Sequence, residues 1–317
     1  MNALEALEND IQQDLGATVF GQHELVRALL VAVIARGHVL LEGPPGLGKT
    51  LLAKSLARAL CGRFTRVQGT ADLMPADIIG THVFDEASAK FTLHPGPVFT
   101  ELLLVDEINR ASPKTQSALL QAMEERQVTI DRQTYRLPAE FTVVATENPH
   151  EFEGTFPLPE SQLDRFMMRI EVGYPSGADE RRVLERYGAL AGTDGAATPA
   201  PAQGRVTAET MAAARECADQ VHVSSAILDY ILALAQASRT HAQVALGLST
   251  RGALAMLRAA RVQAGLRGGK FVTPDDVKRV ARWVVPHRLA LKPEALLETL
   301  DSRDLTTALL ERVAVPR

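Results

Sequence analysis

Gly43-Pro44-Pro45-Gly46-Leu47-Gly48-Lys49-Thr50 lies between the apolar run His38-Val39-Leu40-Leu41-Glu42 and the stretch Leu51-Leu52-Ala53-Lys54-Ser55-Leu56-Ala57-Arg58-Ala59-Leu60. It fits G-x-x-x-x-G-K-[ST], a loop that wraps nucleotide phosphates. The chemistry explains the residue types. Gly43, Gly46 and Gly48 carry no Cβ, so backbone amides can turn inward onto phosphate oxygens. Lys49 brings a positive charge for the β- and γ-phosphates, and Thr50 brings a hydroxyl for Mg²⁺. The apolar run reads as a buried strand and Leu51–Leu60 as a helix whose N-terminus aims a positive dipole end at the phosphates.

Outward from this loop the chain alternates strands and helices. Leu4, Leu7, Ile11 and Leu15 fall at helical spacing, and a buried helix follows over 23–36. Strands are expected at Phe64–Val67, Leu102–Asp106, Phe141–Thr146 and Met167–Val172. Hairpins are expected at 82–94 and 128–137, with a short helix over 72–80 between the second strand and the first hairpin. Ser112-Pro113 reads as an N-cap followed by proline at the first helical position, opening a helix that ends near Arg126. Such alternation means a parallel α/β sheet, with ligands beyond the carboxyl ends of its strands. Gly43, Asp106 and Asn148 all follow strand ends, so one crevice can hold them.

The composition changes near Tyr174-Pro175, and 191–204 is low in complexity. Helices are expected beyond it at 208–220, 224–239, 249–266 and 274–284, the last capped by Thr273. The chain therefore divides into an α/β core over 1–175 and a small all-helical domain over 176–317, with a flexible linker at about 191–206.

The chain has 317 residues, 46% hydrophobic and 5% aromatic, and a net charge of -4. Ample aliphatic core material is present, and the charge balance argues against bulk affinity for nucleic acid. Cys61 and Cys217 show no metal or disulfide pattern; Cys61 reads as a small buried hydrophobe. The eight histidines show no metal pair at helical spacing. The acidic N-terminus lacks a signal-peptide core, and the longest apolar run, Ala28 to Ala35, is far short of the ~20 residues of a membrane span. A cytoplasmic protein without a membrane span is expected.

Asp106-Glu107 at a strand end behind a phosphate loop supports a division of labour. Asp106 would hold Mg²⁺, directly or through water, and Glu107 would polarise a water for attack on the γ-phosphate. Elsewhere such a pair merely caps a turn. Asn148 can orient that water or serve the turn before Pro149. Arg165 reads either as a surface ion pair with Asp164 or as an arginine lent to a neighbouring subunit's γ-phosphate. Arg251 reads as a solvated helix-start residue or as one that faces a phosphate. Nine Lys or Arg lie between 251 and 288 against two acids, a solvated surface or a docking face.

These residues together resemble an AAA+ ATPase. Gly43–Thr50, Asp72–Gly80, His94–Phe99, Asp106–Gln116, Gln121–Val128 and Gly154–Phe166 resemble the MoxR family in particular. The resemblance runs from about Val19 to Tyr174 and resumes around Leu248 to Arg261. It implies an αβα sandwich with a five-stranded parallel sheet, a helical lid, and ATP with Mg²⁺ at subunit interfaces of a homo-hexameric ring. By resemblance Phe20 and Gly21 line the adenine, and Gly43, Pro44, Pro45, Gly46, Leu47, Gly48, Lys49, Thr50 and Leu51 hold the phosphates. Thr50 and Asp106 hold the metal, and Lys49, Glu107, Asn148 and Arg165 are catalytic. Asn148 would be sensor 1, Arg165 the trans-acting finger and Arg251 the lid's sensor 2. The family implies a chaperone-like remodeller of protein complexes, often beside a von Willebrand factor A domain partner. A DNA-dependent motor and a chelatase-like subunit are the alternatives. Glu147 stands where the family more often has Gln, His94 where it often has Arg, and Gly48 where Ala is frequent.

Overall fold

The computed structural model describes residues 2–16, 18–60, 63–87, 89–149, 151, 153–188, 206–297 and 301–316. Cys61, His150 and the linker over 191–205 lie outside these described residues.

Two helices open the chain, α1 (Ala3–Gly16) and α2 (His23–Ile34). Strand β1 (Val39–Glu42) leads through the phosphate loop into α3 (Lys49–Ala59). Then come β2 (Phe64–Gln68), α4 (Pro75–Ile79), the hairpin β3 (Gly80–Asp85) with β4 (Lys90–Pro95), β5 (Leu102–Asp106) and α5 (Pro113–Glu125). A second hairpin, β6 (Gln127–Ile130) with β7 (Gln133–Arg136), precedes β8 (Thr142–Glu147), α6 (Glu160–Leu163) and β9 (Met168–Glu171). The helical half holds α7 (Gly177–Tyr187), α8 (Ala208–Asp219), α9 (Ser225–Arg239), α10 (Thr250–Leu266), α11 (Pro274–Val284), α12 (Pro293–Leu297) and α13 (Ser302–Arg312). Two short strands, β10 (Val244–Leu246) and β11 (Ala290–Leu291), pair antiparallel within it. That pair, α6, α7, α12 and α13 are additions to what the periodicity predicts.

Five parallel strands form one sheet in the order β2-β5-β8-β1-β9. The chain crosses from β1 to the far edge at β2, works inward to β8, and then steps over β1 to β9. The order therefore reverses beside β1, which places a ligand crevice at the carboxyl ends of β1 and β8.

Alternation along each strand sorts the core into two layers. Val39, Leu41, Leu102, Leu104 and Val144 face α1, α2 and α3, while Leu40, Leu103, Val105, Val143 and Ala145 face α5 and the second hairpin. The first layer does not stop at the α/β core. It runs on through Leu4, Leu7, Ile11 and Leu15 of α1 into Ala214, Ile231, Ala259 and Val280 of the helical half.

Local caps follow the residue types. Ser112 Oγ accepts from the Thr115 amide, and Pro113 follows as the first helical residue. Thr273 and Asp276 form a reciprocal capping box on α11. His38 ties the amino ends of the strands together. Its Nδ1 accepts from the Val143 amide at 2.9 Å, so Nε2 donates to the Met123 carbonyl at 3.1 Å. Burial, with Arg126 nearby, lowers its pKa to about 4, which keeps the ring neutral. Among the described residues no helix is long and apolar enough to cross a membrane.

Candidate active site

The phosphate loop follows β1 at the carboxyl edge of the sheet. Gly46 and Gly48 take φ of 84° and 77°, values that a side chain disfavours. Gly48 caps α3 without a side-chain hydrogen bond, so the first amides of α3 are left for an anion. Lys49 Nζ donates to the Gly43 carbonyl and to the Glu147 carbonyl at 3.2 Å. Burial lowers its pKa, and Asp106 and Glu107 oppose that shift.

Asp106 ends β5 with its side chain buried. It accepts from Thr50 Oγ1 at 3.1 Å, from Arg66 Nε at 2.6 Å and from Thr146 Oγ1 at 3.3 Å. A hydroxyl and a carboxylate in contact are hard oxygen donors of the kind Mg²⁺ takes. The residues therefore fit that ion, with Thr50 and Asp106 as its holders.

Glu107 adopts a left-handed backbone, φ 54° and ψ 54°. For a residue with a Cβ this is a costly conformation, of the kind that clusters at functional sites. It is fixed by the Glu107 amide donating to Thr146 Oγ1 at 2.9 Å. The Glu107 carboxylate accepts from Gln68 Nε2 at 2.9 Å and lies 3.7 Å from Arg110 Nε. Asn148 follows β8, with Nδ2 3.4 Å from Glu151 Oε2, and Glu151 in turn pairs with Arg110 at 2.5 Å. Lys49, Thr50, Asp106, Glu107 and Asn148 thus meet past the ends of β1, β5 and β8.

A cleft of about 1010 Å³ opens from the loop toward the helical half. Val19, Phe20, Leu25, Val172 and Tyr174 line it, with Val183, Leu184 and Tyr187 of α7. Gly46, Leu47, Gly48, Lys49 and Leu51 close its phosphate end. Gly21 lets α7 approach, because a Cβ there would fall 2.3 Å from Asp179 Oδ2. Arg182 stacks over Phe20 with its guanidinium 4.4 Å from the ring centroid. Sequence reasoning missed α7 entirely. The signal was present in Ser176, which caps it by accepting from the Asp179 amide.

Glu147 lines the loop from β8. Burial, with Glu42 beside it, raises its carboxyl pKa. Arg169 answers Glu42 with two contacts, one of them Nε at 2.7 Å.

Arg165 and Arg251 both lie away from the phosphate loop of their own chain. Glu124, at the C-terminal end of α5, is 3.1 Å from Arg165 Nε and pairs with Arg251 as well. Its neighbour Met123 bonds His38 before β1, so this pair sits on the amino edge of the sheet, opposite the phosphate loop. Arg251 is therefore not brought to the phosphate loop of its own chain. Ser249, the N-cap of α10, bonds Asp164 at 3.3 Å and holds it away. Arg165 does not pair with Asp164, which is taken by the buried Arg288 at 2.7 Å. Four of the nine basic residues at 251–288 are likewise held by internal partners: Arg251 by Glu124, Arg267 by Asp276, Arg279 by Glu24 and Arg288 by Asp164.

Residues 38–168 match the family described as "ATPase family associated with various cellular activities (AAA)", and residues 236–308 match an AAA lid domain. The chain is 38% identical over 318 residues to YeaC of Bacillus subtilis (strain 168), covering 98% of each protein. It is 41% identical over 308 residues to chaperone MoxR1 of Mycobacterium tuberculosis, covering 94% of this chain and 80% of that one. A crystal structure of a candidate ATPase from Cytophaga hutchinsonii superposes with a TM-score of 0.89 at 35% identity, covering 99% of this chain and 97% of that one.

Proposed function

The chain belongs to the MoxR family of AAA+ ATPases, and from that premise we propose that it hydrolyses Mg²⁺-ATP at the interfaces of a homo-hexameric ring. The observation that supports hydrolysis most is the meeting of Lys49, Thr50, Asp106, Glu107 and Asn148 past three strand ends, with Thr50 and Asp106 in contact. The adenine lies between Phe20 and α7, with Gly21 at the turn. The backbone amides of Gly46 to Leu51 wrap the triphosphate, while Pro44 and Pro45 have no N–H to donate, and Lys49 turns its ammonium from the Gly43 and Glu147 carbonyls to the phosphates. Thr50 and Asp106 would hold Mg²⁺, which would supply positive charge to the phosphate oxygens. Glu107 Oε takes a proton from the attacking water, and the Asn148 amide orients that water.

Arg165 and Arg251 act on the nucleotide of the next subunit, since both stand on the sheet edge opposite their own loop. The work done is remodelling of protein complexes. The relative named chaperone MoxR1 supports that reading, and a von Willebrand factor A domain protein is the partner the family resemblance favours. The cytoplasm is the compartment.

Glu107→Gln tests the hydrolytic assignment. The variant retains ATP binding and loses turnover; turnover at the wild-type rate would remove Glu107 from the mechanism. Proteins that co-purify with the Glu107→Gln variant only in ATP are the clients, and recovery of none overturns the remodelling role.

A further inference from the structure

Glu124 performs no task within the hydrolytic site of its own chain. It stands at the C-terminal end of α5, on the sheet edge opposite the phosphate loop. Its two carboxylate oxygens are divided between arginines that are far apart in sequence. Oε2 lies 3.1 Å from Arg165 Nε, and Oε1 accepts from an Arg251 terminal nitrogen.

Behind these head groups the backbones are already joined. Asp164 precedes Arg165 and receives Arg288 Nε at 2.7 Å and Ser249 Oγ at 3.3 Å. Ser249 is the N-cap of α10, two residues before Arg251. Arg288 also donates to the carbonyls of Phe166 at 2.7 Å and Met167 at 3.1 Å. The stems of both arginines are thus fixed by one buried network, and Glu124 fixes their heads.

The electrostatics suit an incoming anion. Two guanidiniums share one carboxylate, so the group keeps a net positive charge at a half-exposed place. Contact through Nε of Arg165 leaves its two terminal nitrogens for another acceptor, in the planar fork that matches phosphate oxygens. Without Glu124 the two like charges would repel, and each long side chain would regain its rotamer freedom. Exposed ion pairs add little to folding stability, so stability is a poor explanation for this contact.

We propose that Glu124 is a positioning residue for hydrolysis, holding Arg165 and Arg251 as one unit that grips the triphosphate bound by a second copy of this chain. This rests on the reading that both arginines act across the subunit interface.

The variant Glu124→Gln keeps the shape and removes the charge. At protein concentrations where the assembly is complete, kcat falls by ~10-fold or more, as expected when a catalytic group loses its placement. KM for ATP stays within about twofold, because the phosphate loop is untouched. An unchanged kcat overturns the proposal.

Mixing separates a trans effect from a local one. Lys49→Ala chains lack the phosphate-loop ammonium yet offer intact arginines, so adding them raises the rate per Glu124→Gln chain. Adding Arg165→Ala chains does not raise it. If Lys49→Ala chains rescue Arg165→Ala but not Glu124→Gln, Glu124 acts on its own nucleotide and only this proposal fails. If they rescue neither variant, the trans reading itself fails and takes the role of Glu124 with it.

Discussion

Arg288→Leu is the perturbation that probes the frame of the arginine pair most sharply. The Arg288 side chain is 2% exposed, at the end of the 3-10 turn Pro286–Arg288 between α11 and β11, and it donates to Asp164 Oδ1 at 2.7 Å. It also donates to the carbonyls of Val284 at 2.6 Å, Phe166 at 2.7 Å and Met167 at 3.1 Å. Leucine fills part of the space and satisfies none of these acceptors. Breaking a buried ion pair from one side costs about 3–5 kcal/mol. The Asp164 side chain is 25% exposed, so water relieves part of its loss and the low end, about 3 kcal/mol, applies. Carbonyls left without a donor add about 1 kcal/mol or more. At a few degrees per kcal/mol for a chain of this size, Tm falls by on the order of 10 °C. Thermal and urea unfolding of wild type, Arg288→Leu, Asp164→Asn and the double variant measure this. The double variant removes both charges, so it should be less destabilised than the sum of the single changes. A loss under about 1 kcal/mol in Arg288→Leu, or strict additivity, refutes the reasoning.

Other consequences follow from single groups. His38 has its pKa lowered from 6.5 to about 4, so the unfolded chain takes a proton that the folded ring refuses. Its contribution is complete above pH 6.5 and is lost as pH falls toward 4, by ~3 kcal/mol; urea midpoints across that range in wild type and His38→Asn should converge at low pH, and parallel curves contradict it. Glu147 has its carboxyl pKa raised from 4.5 by burial and by Glu42, so the folded state loses stability as pH rises from 4.5 through the raised value. Glu147→Gln removes that loss, and the variant unfolds at higher urea than wild type at pH 8 but not below pH ~4; equal midpoints at both pH values count against it. Leu184 is 71% exposed in the cleft, so Leu184→Asp leaves the fold intact and raises KM for ATP by ~10-fold with kcat preserved; an unchanged KM removes α7 from the base site.

The parts legible in the sequence were those whose signals are local. The phosphate loop, the continuous apolar strands and the Ser112 and Thr273 caps each declare themselves within a few residues. Helix α7 did not, because none of its residues is buried and its apolar face is only Val183, Leu184 and Tyr187, turned to the cleft. Strands β10 and β11 are too short to show alternation. The partners of the arginines were not legible for a different reason. Arg165 next to Asp164 invites a local pair, yet Asp164 takes its partner from 124 residues away, and Arg251 takes Glu124 from 127 residues away. Charge alone does not choose among partners; packing does. Of the nine basic residues at 251–288, four pair with Glu124, Asp276, Glu24 and Asp164.

The central claim is that one chain cannot complete its own hydrolytic site. ATPase rate per chain, measured against protein concentration with mass determined at each point by light scattering, tests it most directly. The expected rate per chain falls toward zero as the assembly dissociates and reaches a plateau once it is complete. A rate per chain that stays constant down to concentrations where only monomer is present would contradict it.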